Sequence, residues 1–594
     1  MTRRPQPRPG PRPVARAAGP LPVLLALLAL LAGCVSMPDS GPVVEVENPD
    51  AGELEPGTFY DPRPPEPGAS AREVVAGFLE AMKATPIKTT VAAQYLTGRA
   101  QEQWTPEAGT LTYADLGVAR GDRTVTVPLL GAEAYDSRGA WTASPTGAGA
   151  RLELPMTLEG GEWRIDAAPD AMVVPDSWFE DRFERASLHF LDPTGRILVP
   201  EPVHAPQGDQ FATALVRGLL AGPPPGMSRV VRSAVPAGVS LALSVPIDAA
   251  GLAEVSLEAP PGVRPEDLAS EEMVAQLAWT LRQEPRIRAV RLTLNGRPVP
   301  LPDGQPELDP AAGTRFDPVG HGSSSDLFAL RGGLLVRGDL DDLEATAGPF
   351  GTQDFSLRSV GLSLAAQQAA AVTTSGSSLL LAPVEEVGAV PEEVVSGATD
   401  LLPPAWDFAD RLWWVDRTAA GARVEILYDG ERRELDVPGL SGRVVKSFLV
   451  SRDGTRLVAV VRGRDTDRLV VGRVLHDETG RVARVARVRE IDLGLESGRR
   501  IRDLGWRSPS SVTLVSGITG VLAHVRTVGV DGAPGDLDTG GASRVRGRAS
   551  ALVSSPERGL GVYVVGTDGV TDLADPVRQV PPLDQAVAWL GYVG

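Results

Sequence analysis

The feature that most constrains this chain is a pattern that recurs through its C-terminal half. From about residue 315 onward apolar residues alternate with period two, and a short strand, a tight turn and a second strand return at intervals. Val450 to Val460 is the clearest unit, with Asp453-Gly454 at its turn. Leu362 to Val372, Trp406 to Val415, Trp506 to Val515 and Val553 to Val564 align with it, and the units start 44, 44, 56 and 47 residues apart. A four-stranded propeller blade takes ~40–45 residues. The spacing therefore predicts an all-β propeller over 315–594, of about six blades at ~44 residues each; the alternative is a β-sandwich with accidental spacing. Trp589 follows Val553 by 36 residues, so Ala588-Trp589-Leu590 is expected to share a closing blade with Leu327 to Val336.

Charge and cysteine usage narrow the function classes. Acidic residues number 76 against 58 basic ones, and the net charge of −18 argues against nucleic-acid binding, which needs a basic footprint. Cys34 is the one cysteine, so neither an intramolecular disulfide nor a thiolate metal site is available. The histidines, at 189, 204, 321, 476 and 524, include no pair at the i, i+4 spacing of a helical metal site. Neither Gly-x-Ser-x-Gly nor a Gly-x-x-x-x-Gly-Lys phosphate loop occurs. Gly320-His321-Gly322-Ser323-Ser324-Ser325-Asp326 reads as a polar linker, because a triad is assembled in space and needs an oxyanion hole. Asp531, Asp536 and Asp538 read as an exposed turn: an EF-hand loop counted from Asp531 or Asp536 would end on Ala542 or Gly547, neither a ligand. Trp406, Trp413 and Trp414 read as blade core rather than as a sugar platform. The sequence thus predicts no catalytic, cofactor or metal site, and a protein that is not an enzyme.

The N-terminus carries five arginines within residues 1–20, then an apolar run from Val23 to Ala32, then Leu31-Ala32-Gly33-Cys34. Ten apolar residues are half of the ~20 that a membrane-spanning helix requires. Residues 1–33 are therefore read as a signal peptide, and Leu-Ala-Gly-Cys resembles a bacterial lipobox, which implies acylation of Cys34 and anchoring on the outer face of the cytoplasmic membrane. Loss of 1–33 takes the net charge from −18 to −23, with −17 of it in residues 34–319. Residues 34–69 are rich in Pro and poor in apolar pairs, a composition read as a disordered tether with a reach of up to ~100 Å.

Two α+β domains are expected between tether and propeller. In 70–180, Ser70-Ala71-Arg72-Glu73 has the form of a capping box before a helix, and the strands Thr124 to Leu130, Arg151 to Leu158 and Glu162 to Ile165 predict an antiparallel sheet. This domain resembles cystatin-like or nuclear-transport-factor-like domains. In 185–305 the expected order is strand (Ser187 to Leu191), helix (Gln210 to Leu220), strands (Val239 to Val245, Ala253 to Leu257), a long helix (Glu266 to Arg282) and a last strand (Ala289 to Leu294) turning at Asn295-Gly296. The run Val216 to Pro223, the Val235-Pro236-Ala237-Gly238 turn and the closing Val290-x-Leu-x-Leu-Asn-Gly resemble the GerMN sporulation and germination domain.

The order of lipobox, tether, α+β domain, GerMN-like domain and propeller, with the run Cys34 to Pro42, resembles the actinobacterial LpqB lipoprotein family over essentially the whole mature chain. The resemblance implies an accessory lipoprotein that contacts the extracellular domain of a sensor histidine kinase, MtrB, and so modulates signalling linked to the cell wall and division. Two alternatives stand beside it: a cell-wall glycan-binding module, and a propeller-type cell-wall hydrolase, which would need a perturbed carboxylate pair in the propeller mouth.

Overall fold

Ser70 starts the first domain of the computed structural model, which describes residues 59–477, 479–519, 522–535, 537, 544–567, 569–574 and 587–594. The Ser70 hydroxyl accepts from the Glu73 amide (3.4 Å), and the Glu73 carboxylate accepts from the Ser70 amide (2.8 Å). Two otherwise orphan donors are thereby satisfied, and the helix Ala71–Ala81 turns Val74, Val75, Phe78 and Leu79 into the core. Thr124–Leu130, Arg151–Glu159 and Glu162–Ile165 pair antiparallel, and the last two turn through Gly160 and Gly161, both at positive φ. A second sheet departs from the antiparallel expectation: Gly109–Tyr113 pairs antiparallel with Glu133–Asp136 but parallel with Met172–Pro175. The returning chain is set alongside by the Trp104 indole, which donates to the Pro169 carbonyl (2.8 Å), and by the Thr105 amide on Asp170 (2.9 Å).

The end of the sequence-read tether is ordered on this domain. Tyr60 pairs with Thr85, Lys88 meets Asp61 at 3.0 Å, and the Tyr95 hydroxyl donates to the Arg63 carbonyl (2.9 Å). Prolines hold this stretch extended beforehand, so ordering it costs little entropy.

Residues Phe183–Leu191 and Leu198–Pro206 form the hairpin that opens the second domain. Helices Phe211–Leu220 and Glu271–Leu281 pack in one apolar core with the parallel pair Leu252–Glu258 and Ala289–Leu294. The expected helix 266–282 is in fact two pieces: a 3-10 turn over Pro265–Leu268, then an α-helix capped by Ser270, whose hydroxyl accepts from the Met273 amide (3.2 Å). Of the expected strand 239–245 only Ser240–Leu241 is a strand; the Ala242 amide still donates to the Ser256 carbonyl (2.9 Å), and the Val245 amide turns to the Thr213 hydroxyl (3.0 Å).

Six sheets then follow in chain order. Blade one runs from Leu357 to Val395, blade two from Ala405 to Leu435, blade three from Val445 to Ile491 and blade four from Ile501 to Arg546. Blade five has three described strands between Ala549 and Asp572. Blade six joins the two ends of the region, Val587–Gly591 pairing with Leu327–Arg331 through Ala329 with Leu590 and Leu330 with Trp589. The ring thus closes as the sequence spacing leads one to expect, and closure removes the open strand edges. Neighbouring blades share a device: the Trp406 indole donates to the Gly361 carbonyl of the blade before it, and the Trp506 indole to that of Val450, each at 3.0 Å. Trp413 and Trp414 are fully buried, as expected of blade core.

Candidate functional site

The 56-residue interval that breaks the blade spacing belongs to blade three, whose outer strands, Asp467–His476 and Val482–Ile491, are ten residues each. They reach beyond the ring to the second domain. Leu475 enters the apolar core of that domain, and the His476 amide donates to the Arg229 carbonyl (2.8 Å).

Glu201 is the hub of this seam. It accepts from Arg456 (3.1 Å) and from both terminal nitrogens of Arg473, one of them at 3.4 Å. Arg456, fully buried, also meets Asp453 at 3.3 Å and donates to the Pro200 carbonyl (2.5 Å). Burial pulls the Arg473 guanidinium below its usual pKa, with Arg456 adding to the effect and Glu201 opposing it. Removing one partner from such a cluster is costly, because it strands a charge away from water. Further along, Arg185 of the second domain binds Asp531 of the propeller at 2.7 Å, and the Arg196 guanidinium lies 5.0 Å from the Phe408 ring centroid. The first domain joins through a turn: the His204 amide donates to the Gly139 carbonyl (2.8 Å), and Trp141 lies under Arg489, 4.5 Å from guanidinium to ring. His204 is enclosed by the Tyr135 and Phe179 rings, and burial, helped by Arg185, drives its pKa down to about 4.

The innermost strands of the blades surround a cavity of about 340 Å³ on the propeller axis. Among the described residues Asp503 is the one acidic side chain in its lining. Burial raises its pKa to about 6 against the pull of the Leu552 and Leu504 amides, both at 2.9 Å. Arg452 ties this end of the ring together, donating to the carbonyls of Val593 (2.9 Å) and Val319 (3.0 Å) and to Ser555 (3.2 Å). A lone raised carboxylate can take up or release a proton, but acid–base hydrolysis of a glycoside uses two, and none of the other described lining residues supplies the second.

The sequence-read positions fall as follows. Cys34, the one predicted site residue, lies outside the described residues, as do Asp536 and Asp538. Asp531 corrects the expectation of an exposed turn: it is largely covered because Arg185 holds it in the seam. In the linker 320–326, His321 is exposed and Ser323 bonds Arg452 at 3.3 Å, so the segment is a brace for the ring rather than an assembled triad. Among the described residues no group of three or more His, Cys, Asp or Glu is arranged to hold a metal, and no helix is long and apolar enough to cross a membrane. Sequence reasoning missed Glu201, Arg456 and Arg473, although the 56-residue interval was their signal.

Fold and seam define a class, a multidomain scaffold in which a closed propeller and two α+β modules form one compact unit, Tyr60–Gly594. Three family models match in that order: the N-terminal domain of lipoprotein LpqB over residues 64–180, a sporulation and spore germination domain over 187–300, and the β-propeller domain of lipoprotein LpqB over 333–580. The chain belongs to the LpqB lipoprotein family. Lipoprotein LpqB of Thermobifida fusca is 28% identical over 514 residues, covering 76% of this chain and 81% of that protein. Lipoprotein LpqB of Mycobacterium tuberculosis is 29% identical over 604 residues, covering 94% and 96%. Among solved structures, the tandem GerMN domains of the sporulation protein GerM from Bacillus subtilis align at 15% identity and a TM-score of 0.17, covering 22% of this chain and 45% of that one.

Proposed function

We propose that this protein is a membrane-anchored accessory lipoprotein, acylated at Cys34, that binds the extracellular domain of an MtrB-like sensor histidine kinase and thereby modulates two-component signalling. The observation that carries the reading is the seam. Charge pairs buried between the second domain and the propeller, with the His204–Gly139 hydrogen bond and the Arg489–Trp141 contact to the first domain, join three modules of unrelated fold into one body, and such a body presents a partner with a preformed surface and little ordering entropy to lose. Membership of a family whose members are named lipoproteins supports the anchor, and the apolar run before Cys34 supplies its sequence. Two or more acyl chains hold a protein stably where one holds it only marginally. Anchoring both partners in one membrane raises their effective concentration, so a modest intrinsic affinity is enough.

Cross-linking in intact cells followed by purification of the lipoprotein tests this directly. The kinase is expected among the cross-linked partners of the native protein and to be depleted when Cys34→Ser releases it from the membrane. Recovery of other proteins but never of a sensor kinase contradicts the reading.

A further inference from the structure

A cleft of about 520 Å³ opens where the three domains meet, between Trp141 of the first, Glu201 of the second and four arginines of blade three, Arg456, Arg473, Arg487 and Arg489. Among the described residues its charges do not balance. Of the three acidic side chains in the lining, Asp136 is held by Arg138, Asp531 by Arg185, and Glu201 is divided between Arg456 and Arg473. Arg487 and Arg489 bond only to backbone, to the carbonyls of Pro225 (2.6 Å) and Asp531, and no ion pair joins either to a carboxylate among the described residues. Arg456 and Arg473 each keep a buried Nε–H without an acceptor. Such a cationic cleft is unusual in a chain of net charge −18.

The backbone is shaped to put these groups there. Val471 pairs with Arg489 and Arg473 with Ala486, so the outer strand carries a bulge at Arg487 and Val488. Arg487 has φ 50, a left-handed conformation that a long side chain rarely adopts. Bulges re-aim side chains and gather beside binding sites. Gly532 lets Arg489 lie flat on Trp141: a Cβ there would stand 2.9 Å from the Arg489 Cδ and 3.0 Å from the indole.

We propose that this cleft binds a small anionic molecule bearing a carboxylate or phosphate group, with Arg487 and Arg489 as its charge partners and Trp141, Met227 and Val530 against its apolar part. Guanidinium forks match the paired oxygens of both groups. The proposal does not depend on the kinase-binding function.

Isothermal titration of the full-length mature lipoprotein in detergent tests it, with inorganic phosphate in one arm, succinate in a second and uncharged glucose as control, while Trp141 fluorescence is followed. One anion is expected to bind, to weaken as salt is raised, and to lose about tenfold or more in affinity in R487Q/R489Q. The arm that binds identifies the group. A Trp141→Phe variant should abolish the fluorescence change but retain most of the heat. The proposal is overturned if neither anion binds the native protein, or if both bind R487Q/R489Q as tightly as the native protein. It is likewise overturned if the arginines prove to be braces only, the double variant melting lower while the native protein binds nothing.

Discussion

Blade three is held by two different kinds of physics along its own length. Its inner strands, Val445–Val450 and Arg456–Arg462, bury Leu457, Val458, Ala459 and Val460 completely, and this apolar contact is renewed in every blade. Its outer strands leave the ring, and Arg473 on them joins Arg456, at the start of the inner strand Arg456–Arg462, in gripping a single shared Glu201 of the second domain. Apolar packing tolerates exchange of one hydrophobic side chain for another of similar volume. A buried charge cluster does not, because each member is needed to offset the desolvation of the rest. The blades therefore make a robust ring, and the seam makes a specific joint.

The sharpest way to break the ring is at its closure. Deleting residues 587–594 removes the strand that completes blade six, and the unpaired edge of Leu327–Arg331 is then exposed. Thermal unfolding is expected to lose its cooperative transition, whereas unchanged melting would show that the ring stands without closure. Breaking the seam is the next largest effect. Glu201→Ala strands Arg473 and leaves Arg456 with Asp453 alone, at an expected cost of about 3–5 kcal/mol in urea denaturation. A change below about 1 kcal/mol would show that water reaches the arginines. Leu457→Ala, inside the blade, provides the contrast: about 2–5 kcal/mol from the lost methyls and the cavity.

Acid sharpens the same comparison. His189, His204 and His476 are buried, and burial first of all lowers their pKa values to about 3, 4 and 4. Each takes up its proton more readily unfolded, so the stability it contributes is complete above pH 6.5 and is lost as pH falls toward 4. Asp503 has the opposite sign: with its pKa raised to about 6, its contribution is lost as pH rises through that value. Burial raises Glu184, Asp317 and Asp410 in the same direction as Asp503, but the three imidazoles carry large shifts across this window, and the urea midpoint should drop between pH 7 and pH 5; an equal or higher midpoint at pH 5 would contradict the burial of these imidazoles. The smallest effect is expected of Gly532→Ala, about 1–2 kcal/mol from a positive φ and a crowded Cβ, read from the melting temperature.

The two regions are also unequally legible in the sequence. Period-two strands at 44-residue spacing make the propeller plain, and the same spacing places the closing strand at Trp589, because blades repeat a local solution. The capping box at Ser70 is equally local. The seam is not, since Glu201 sits 255 residues from Arg456 and 272 from Arg473; the 56-residue interval marks blade three as unusual but does not say which distant residue it meets. Asp531 reads as an exposed turn for the same reason, its partner Arg185 being 346 residues away. Where the expected helix 266–282 breaks, the signal is present in Ser270 but is masked by the apolar periodicity on either side.

The central claim is that one rigid, lipid-tethered body acts by binding a sensor kinase, and association on a membrane tests it most directly. The purified mature protein and the kinase extracellular domain would be measured first in solution and then with both tethered to liposomes. The account predicts weak association in solution and much stronger association on the liposome. No association between tethered partners, with release of fragments from cell-wall or peptide substrates by the purified protein, would contradict it.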